Sequence, residues 1–152
     1  MKELDRIDRK ILLSLQKNSR LSVGEVADVC GLSKSACHRR IKMMEDRGVI
    51  ERYTAVLSAA ALGYNVIFVV DLTLQGQSEE AMREFEEALL RIPEVLECQL
   101  MTGQNDYILR VAAKSTEDYE ETHHRLARLP GVSTIQSSLA LRTVKPWTGL
   151  PV

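Results

Sequence analysis

The stretch Leu21–Ile50, LSVGEVADVCGLSKSACHRRIKMMEDRGVI, leaves this chain few ways to fold. Ser22 with Glu25 three residues on spells a capping box, in which a hydroxyl and a carboxylate satisfy each other's backbone N–H groups at a helix start. Val23, Val26, Ala27 and Cys30 recur at three- and four-residue steps, the inner stripe of one helix. Gly31 supplies a turn, Ser33 caps a further helix, and Gly48 stops it. On that helix Cys37, Ile41 and Met44 face inward. Two short helices joined this tightly, the second opening with Ser-Lys-Ser and carrying a basic face, read as a helix-turn-helix. That arrangement offers the start of its second helix to the major groove of DNA.

The rest of the chain divides around this motif. Asp5–Gln16 carries Ile7, Ile11, Leu12 and Leu15 at helical spacing, and Asn18 or Ser19 ends that helix. Val49–Leu57 alternates and is rich in β-formers, which predicts a strand; Ala59–Gly63 reads as a connector. Beyond it lies a weak duplication. A strand over Val66–Leu74 leads to a helix from about Ser78 to Arg91 and a strand to about Leu100. Another strand, Tyr107–Ala113, then leads to a helix capped by Ser115, with Asp118 completing its box, and a last strand to about Thr143. Each helix closes on the same pattern, Arg91-Ile92-Pro93-Glu94-Val95 and Arg128-Leu129-Pro130-Gly131-Val132. Two βαβ units of this kind predict a four-stranded antiparallel sheet with both helices on one face, the ferredoxin-like arrangement. The other face is left bare, which favours association with another subunit. The expected fold is therefore α+β: a (winged) helix-turn-helix three-helix domain over residues 1–50, a linker strand and connector over 51–63, a ferredoxin-like βαββαβ domain over 64–145 and a tail over 146–152.

Charge follows the same division. Residues 1–57 hold 12 Lys/Arg against 8 Asp/Glu, a balance of +4, whereas residues 58–152 hold 8 against 13, a balance of −5. The first part can face phosphates; the second cannot plausibly wrap nucleic acid. Three cysteines are too few and odd in number for a disulfide framework and fit a reducing cytoplasm. The longest apolar run, around Val66–Val70, is too short to span a bilayer, so no membrane is expected. Cys30 and Cys37 fall on inner helix faces, and His123 and His124 point to two sides of a helix, so no metal set is expected. Neither a nucleophile with its base nor a phosphate loop stands out, and no cofactor or enzyme activity is expected.

With Cys37, Ile41 and Met44 inward, Ser35, Arg39 and Lys42 point away, and Lys34 and His38 lie on one flank. Short hydroxyls at Ser33 and Ser35 suit phosphates or base edges, Arg39 can fork onto a guanine, and Lys42 attracts phosphate. Arg40 lies beside the inner stripe, where a structural or backbone-phosphate role suits it better than a base contact. The plain alternative for this face is a solvated helix of a bundle. In the second domain Thr102-Gly103-Gln104-Asn105-Asp106 reads as a strand-to-strand turn. Gly103 permits close backbone approach, and Asp106 could accept an ammonium group. An ordinary polar hairpin explains the same residues.

The segment Leu4–Leu12, the Gly31-Leu32-Ser33 turn, Cys37 with Arg40-Ile41, and Gly48-Val49-Ile50 together resemble the Lrp/AsnC (leucine-responsive, feast/famine) family of transcriptional regulators. Gly103–Tyr107, Leu129–Val132 and the βαββαβ order resemble that family's ligand-sensing module. The resemblance spans about residues 4–151. It departs at Lys34 and Ala36, where many members carry proline, and at Trp147, where a smaller polar residue is expected. What it implies is a regulator of double-stranded DNA built from homodimers that assemble to tetramers or octamers, with sheets paired face to face. An amino acid or related small molecule would bind between dimers. By the same resemblance the effector set is Met101, Thr102, Gly103, Asn105 and Asp106, with Gln136 and Ser138 from the last strand. An architectural, DNA-wrapping protein of the same fold without an effector is the alternative. An enzyme subunit finds no support in residues 1–57.

Overall fold

A computed structural model describes residues 3–152. The chain forms two compact units: one runs to Val56 and takes in Lys145–Val152, and the other is Leu57–Val144.

The first unit is built from three helices, α1 (Arg6–Lys17), α2 (Val23–Cys30) and α3 (Lys34–Asp46). Each starts where its polar cap dictates. Asp5 accepts from the Ile7 and Asp8 N–H groups while Asp8 reaches back to the Asp5 N–H, and Ser22 and Glu25 repeat this box on α2. Ser33 accepts from the Ala36 N–H to open α3. Gly31 ends α2 at φ 69°, a left-handed conformation in which a side chain is strained. The inner stripes meet in one core of Ile11, Leu12, Val26, Ala27, Cys30, Cys37, Ile41 and Met44. Val23, expected in that stripe, is only half-buried.

The expected strand over Val49–Leu57 needs correcting. Within one chain it forms no ladder: Val49 and Ile50 still donate to the Met44 carbonyl, and residues 51–57 run exposed. Alternation makes a strand only where a second backbone supplies the hydrogen bonds, and no described strand of this chain lies beside it. Tyr53 gives the segment one anchor, its hydroxyl donating to Glu45 of α3 at 2.9 Å. Loss of water around the ring and the neighbouring Glu45 carboxylate push that hydroxyl up to about 12.

The second unit follows the duplicated pattern: β1 (Val66–Leu74), α4 (Glu79–Leu89), β2 (Val95–Leu100), β3 (Tyr107–Ala113), α5 (Thr116–Ala127) and β4 (Val132–Leu139). The strands form one antiparallel sheet in the order β2-β3-β1-β4. Alternate residues of β1 and β3, including Phe68, Val70, Leu72, Leu109 and Val111, pack with Phe85 and Leu89 of α4 and Tyr119 and Leu126 of α5. Both helices therefore cover one face. The paired Arg-Ile/Leu-Pro patterns make the same tight turn, Val95 N–H to Ile92 carbonyl and Val132 N–H to Leu129 carbonyl.

Two local expectations change here. β4 stops at Leu139 rather than near Thr143: its pairing with β1 ends at Phe68, one further bond runs from the Ala140 N–H to the Ile67 carbonyl, and β1 itself starts at Val66, so residues 142–143 have no described strand beside them. Asp118 does not close a box on Ser115; its carboxylate accepts from the Lys114 N–H one residue earlier. The face away from the helices carries Ile67, Val69 and Asp71 of β1, Ile108 and Arg110 of β3, and Gln136 and Ser138 of β4, with no described element over it.

Candidate nucleic-acid interface and effector loop

Helix α3 is anchored on one side and open on the other. The Arg40 guanidinium lies 2.7 Å from both an Asp5 and an Asp8 carboxylate oxygen. Asp8 is buried, so the pair neutralises a charge that would otherwise be costly inside the unit. The cap hydrogen bonds from Asp8 and Ile7, with Arg40, hold the Asp5 carboxyl below its ordinary value, and the two aspartates raise Arg40 in turn. These contacts fix α3 against the start of α1 through Arg40.

The opposite face of α3 is exposed along its length. Lys34, Ser35 and His38 border a cleft of about 560 Å³ together with Val23 of α2. His38 also borders a second cleft of about 430 Å³, with Arg39, Lys42, Met43, Asp46 and Arg47. One strip thus gathers five of the seven residues singled out on this helix. Ser33 is occupied as the cap, and its hydroxyl lies 3.3 Å from that of Ser35. Lys42 sits 2.8 Å from Asp46, but both side chains are largely exposed, and water and salt screen such a pair strongly. Sequence reasoning missed Val23, Met43 and Arg47 as cleft walls; Val23 and Met43 are apolar residues that periodicity assigns to packing.

In the second unit the loop between β2 and β3 is closed by the Met101 N–H donating to the Asp106 carbonyl at 2.8 Å. Thr102, Gly103 and Gln104 are exposed, and Asn105 and Asp106 are half-buried. Asp106 is not a free carboxylate. One oxygen accepts from the Leu74 N–H and the other from the Gln77 side-chain amide, each at 2.7 Å. The group expected to take an ammonium instead ties the loop to the end of β1, and Gln77 is a partner that sequence did not point to. Gln136 pairs across the sheet with Asp71 and Ser138 with Val69, both on the uncovered face. β4 lies two strands from β3, about 10 Å away. Within one chain the structure therefore does not gather the loop and these two side chains into a single closed site.

No helix among the described residues is long and apolar enough to cross a membrane, and no described group of His, Cys, Asp and Glu could hold a metal ion. The cysteines are free, and burial pushes the Cys30 and Cys37 thiols up.

Comparison with known proteins places both units. Residues 4–51 match the family model for winged helix-turn-helix DNA-binding, and residues 67–150 match that for the Lrp/AsnC ligand binding domain. The leucine-responsive regulatory protein of Escherichia coli is 34% identical over 145 residues, covering 95% of this chain and 88% of that protein. A transcriptional regulator from Neisseria meningitidis, solved as a complex with L-methionine, superposes with a TM-score of 0.92 at 33% identity, covering 98% of this chain and 97% of that one. An AsnC family regulator from Agrobacterium tumefaciens superposes equally well, at 0.92, with 36% identity over 97% of this chain and 96% of its own.

Proposed function

We propose that this chain, which belongs to the Lrp/AsnC family of transcriptional regulators, reads a specific DNA site with the exposed strip of α3 and changes its grip when an amino acid binds its second unit. The observation that carries the DNA half is the split role of the helix. Arg40 holds it from behind, leaving Lys34, Ser35, His38, Arg39 and Lys42 on one open face. In this reading Arg39 contacts a base, Lys34 and Lys42 contact phosphates, and Ser35 and His38 supply hydrogen bonds. Arg40 and Ser33 serve the fold of the helix.

One small helix-turn-helix grips few phosphates, so two must act together on paired half-sites. The uncovered sheet face, with Ile67, Val69 and Ile108 on it, supports pairing of subunits face to face, and the unpaired 51–57 segment supports a strand completed by a second chain. Further assembly to a tetramer or octamer then brings the 101–106 loop of one dimer near Gln136 and Ser138 of another. The effector sits there, between dimers, held by backbone amides around Gly103 and by the Thr102, Asn105 and Gln136 side chains. L-Methionine in the Neisseria complex, and in a feast or famine regulatory protein from Mycobacterium tuberculosis that is 29% identical, supports an amino acid as the ligand class.

Selection of bound DNA fragments with and without a pool of amino acids tests the reading. Recovery of one half-site motif, with spacing or yield that changes with the pool, is the expected result. A motif insensitive to every amino acid, with no rise in melting temperature in any of them, would favour an architectural DNA-wrapping role. Failure to enrich any DNA would end the reading.

A further inference from the structure

The last eight residues do not stay with the unit they leave. The sheet unit ends at Val144, and Lys145–Val152 joins the helical unit. Three contacts seat it there. Val152 is half-buried and packs against the core formed by Ile11, Cys37, Met44 and their neighbours. The Gln16 side-chain amide, in the last turn of α1, donates to the Leu150 carbonyl at 3.2 Å. Gly149 has φ +99°, and a Cβ there would collide with Oε1 and Cδ of the Gln16 side chain. Any other residue at 149 would be strained and would displace the very side chain that holds Leu150. Pro151 follows, restricting Leu150 to extended backbone and lowering the entropy lost on docking.

We propose that residues 145–152 are a docking segment that completes the DNA-reading unit, so that this unit is joined to the sheet unit at two chain crossings and its hold on DNA depends on the segment staying seated. The DNA part of this rests on the function proposed above. Two physical arguments carry it. A helical unit of some fifty residues buries too small a fraction of its surface to be indifferent to one more apolar side chain in its core. The segment also grips the end of α1 opposite to Asp5 and Asp8, the residues that hold Arg40 and hence α3. The segment thus holds the end of the helix whose start anchors the helix proposed to read DNA. The docked segment is the chain's own Trp-Thr-Gly-Leu-Pro-Val sequence, and the single tryptophan of the chain, Trp147, lies within it and is 79% exposed.

The test compares the full chain with a variant truncated after Val144. Truncation is expected to lower the melting temperature of the helical unit by roughly 5 °C and to weaken specific DNA binding about tenfold. A synthetic peptide of residues 145–152 should then bind the truncated protein saturably by tryptophan fluorescence and restore both quantities. The same peptide carrying Gly149→Ala should do neither. Should truncation prevent folding, Gly149→Ala in the full chain decides: the expected result is faster depolarisation of Trp147 emission and a lower melting temperature. Unchanged values of both overturn the proposal. A full chain that binds no DNA overturns the earlier reading instead, and the melting and fluorescence results still judge the docking.

Discussion

The two units of this protein are held together by different means. The sheet unit has the larger apolar core, with the rings of Phe68, Phe85, Tyr107 and Tyr119 among thirteen buried residues, and Phe68 stacks on Tyr119 at 3.6 Å. Among the described residues, the helical unit has eight buried in its core and no aromatic ring among them. It relies instead on reciprocal caps at Asp5 and Ser22, on Arg40 between two aspartates, and on Val152 from the segment that returns to it. The lesson is one of division. A unit with a large core can leave a whole sheet face uncovered for a partner. A unit with a small one needs polar anchors on its inner side, and these free its outer helix face for charge.

Substitutions that strike one means of support and not the other sharpen that contrast. Phe85→Ala removes a fully buried ring and should cost the sheet unit about 3–5 kcal/mol. In calorimetry it should move one of two transitions and leave the other in place; a single transition that moves as a whole would break the contrast. Arg40→Met leaves the buried Asp8 carboxylate without its partner. Because Arg40 is itself a quarter exposed, the expected loss is about 2–4 kcal/mol, confined to the helical unit. Arg39→Ala should leave both transitions unmoved while weakening binding to the preferred DNA site about tenfold and relaxing the sequence preference there, with the salt slope little changed.

Acid should also separate the units. The Asp5 carboxyl titrates below its ordinary 3.8 in the folded chain, so its contribution is present above that pH and is lost as the pH falls through the lowered value. Circular dichroism between pH 5 and 2 should show the helical unit weakening over the acid end of that range, and an Asp5→Asn variant should flatten the response. The smallest effect is expected at Asp46→Ala. Breaking the exposed pair with Lys42 should leave the melting temperature essentially unchanged while strengthening DNA binding a few-fold, since a carboxylate leaves the strip proposed to face phosphate.

Much of the fold was legible because its signals are local. Ser22 with Glu25, Ser33 and Gly31 act within four residues of themselves, and all three perform as their spacing implies. The β1 and β3 bounds coincide with the strands read over Val66–Leu74 and Tyr107–Ala113, and the repeated Arg-Ile/Leu-Pro turn follows from its own sequence. The site was legible only in outline. Periodicity separated Arg39 and Lys42 from Cys37 and Ile41, yet it could not show that Arg40 meets Asp5 and Asp8, more than thirty residues earlier. Asp106 looked free because Leu74 and Gln77 lie about thirty residues away in sequence. The Val49–Leu57 alternation was real and still produced no strand, since a strand is a relation between two backbones.

Sequence by itself determined where helices start and stop, which faces are apolar, and how charge divides between the units, because each of these depends on neighbours within a turn or on a sum along the chain. Tertiary structure alone decided which polar groups are left over. Arg40 and Asp106 are engaged, Arg39 stands open, and Gly149 lies against Gln16, because a charge or a lone pair is free only when no distant part of the chain has reached it first.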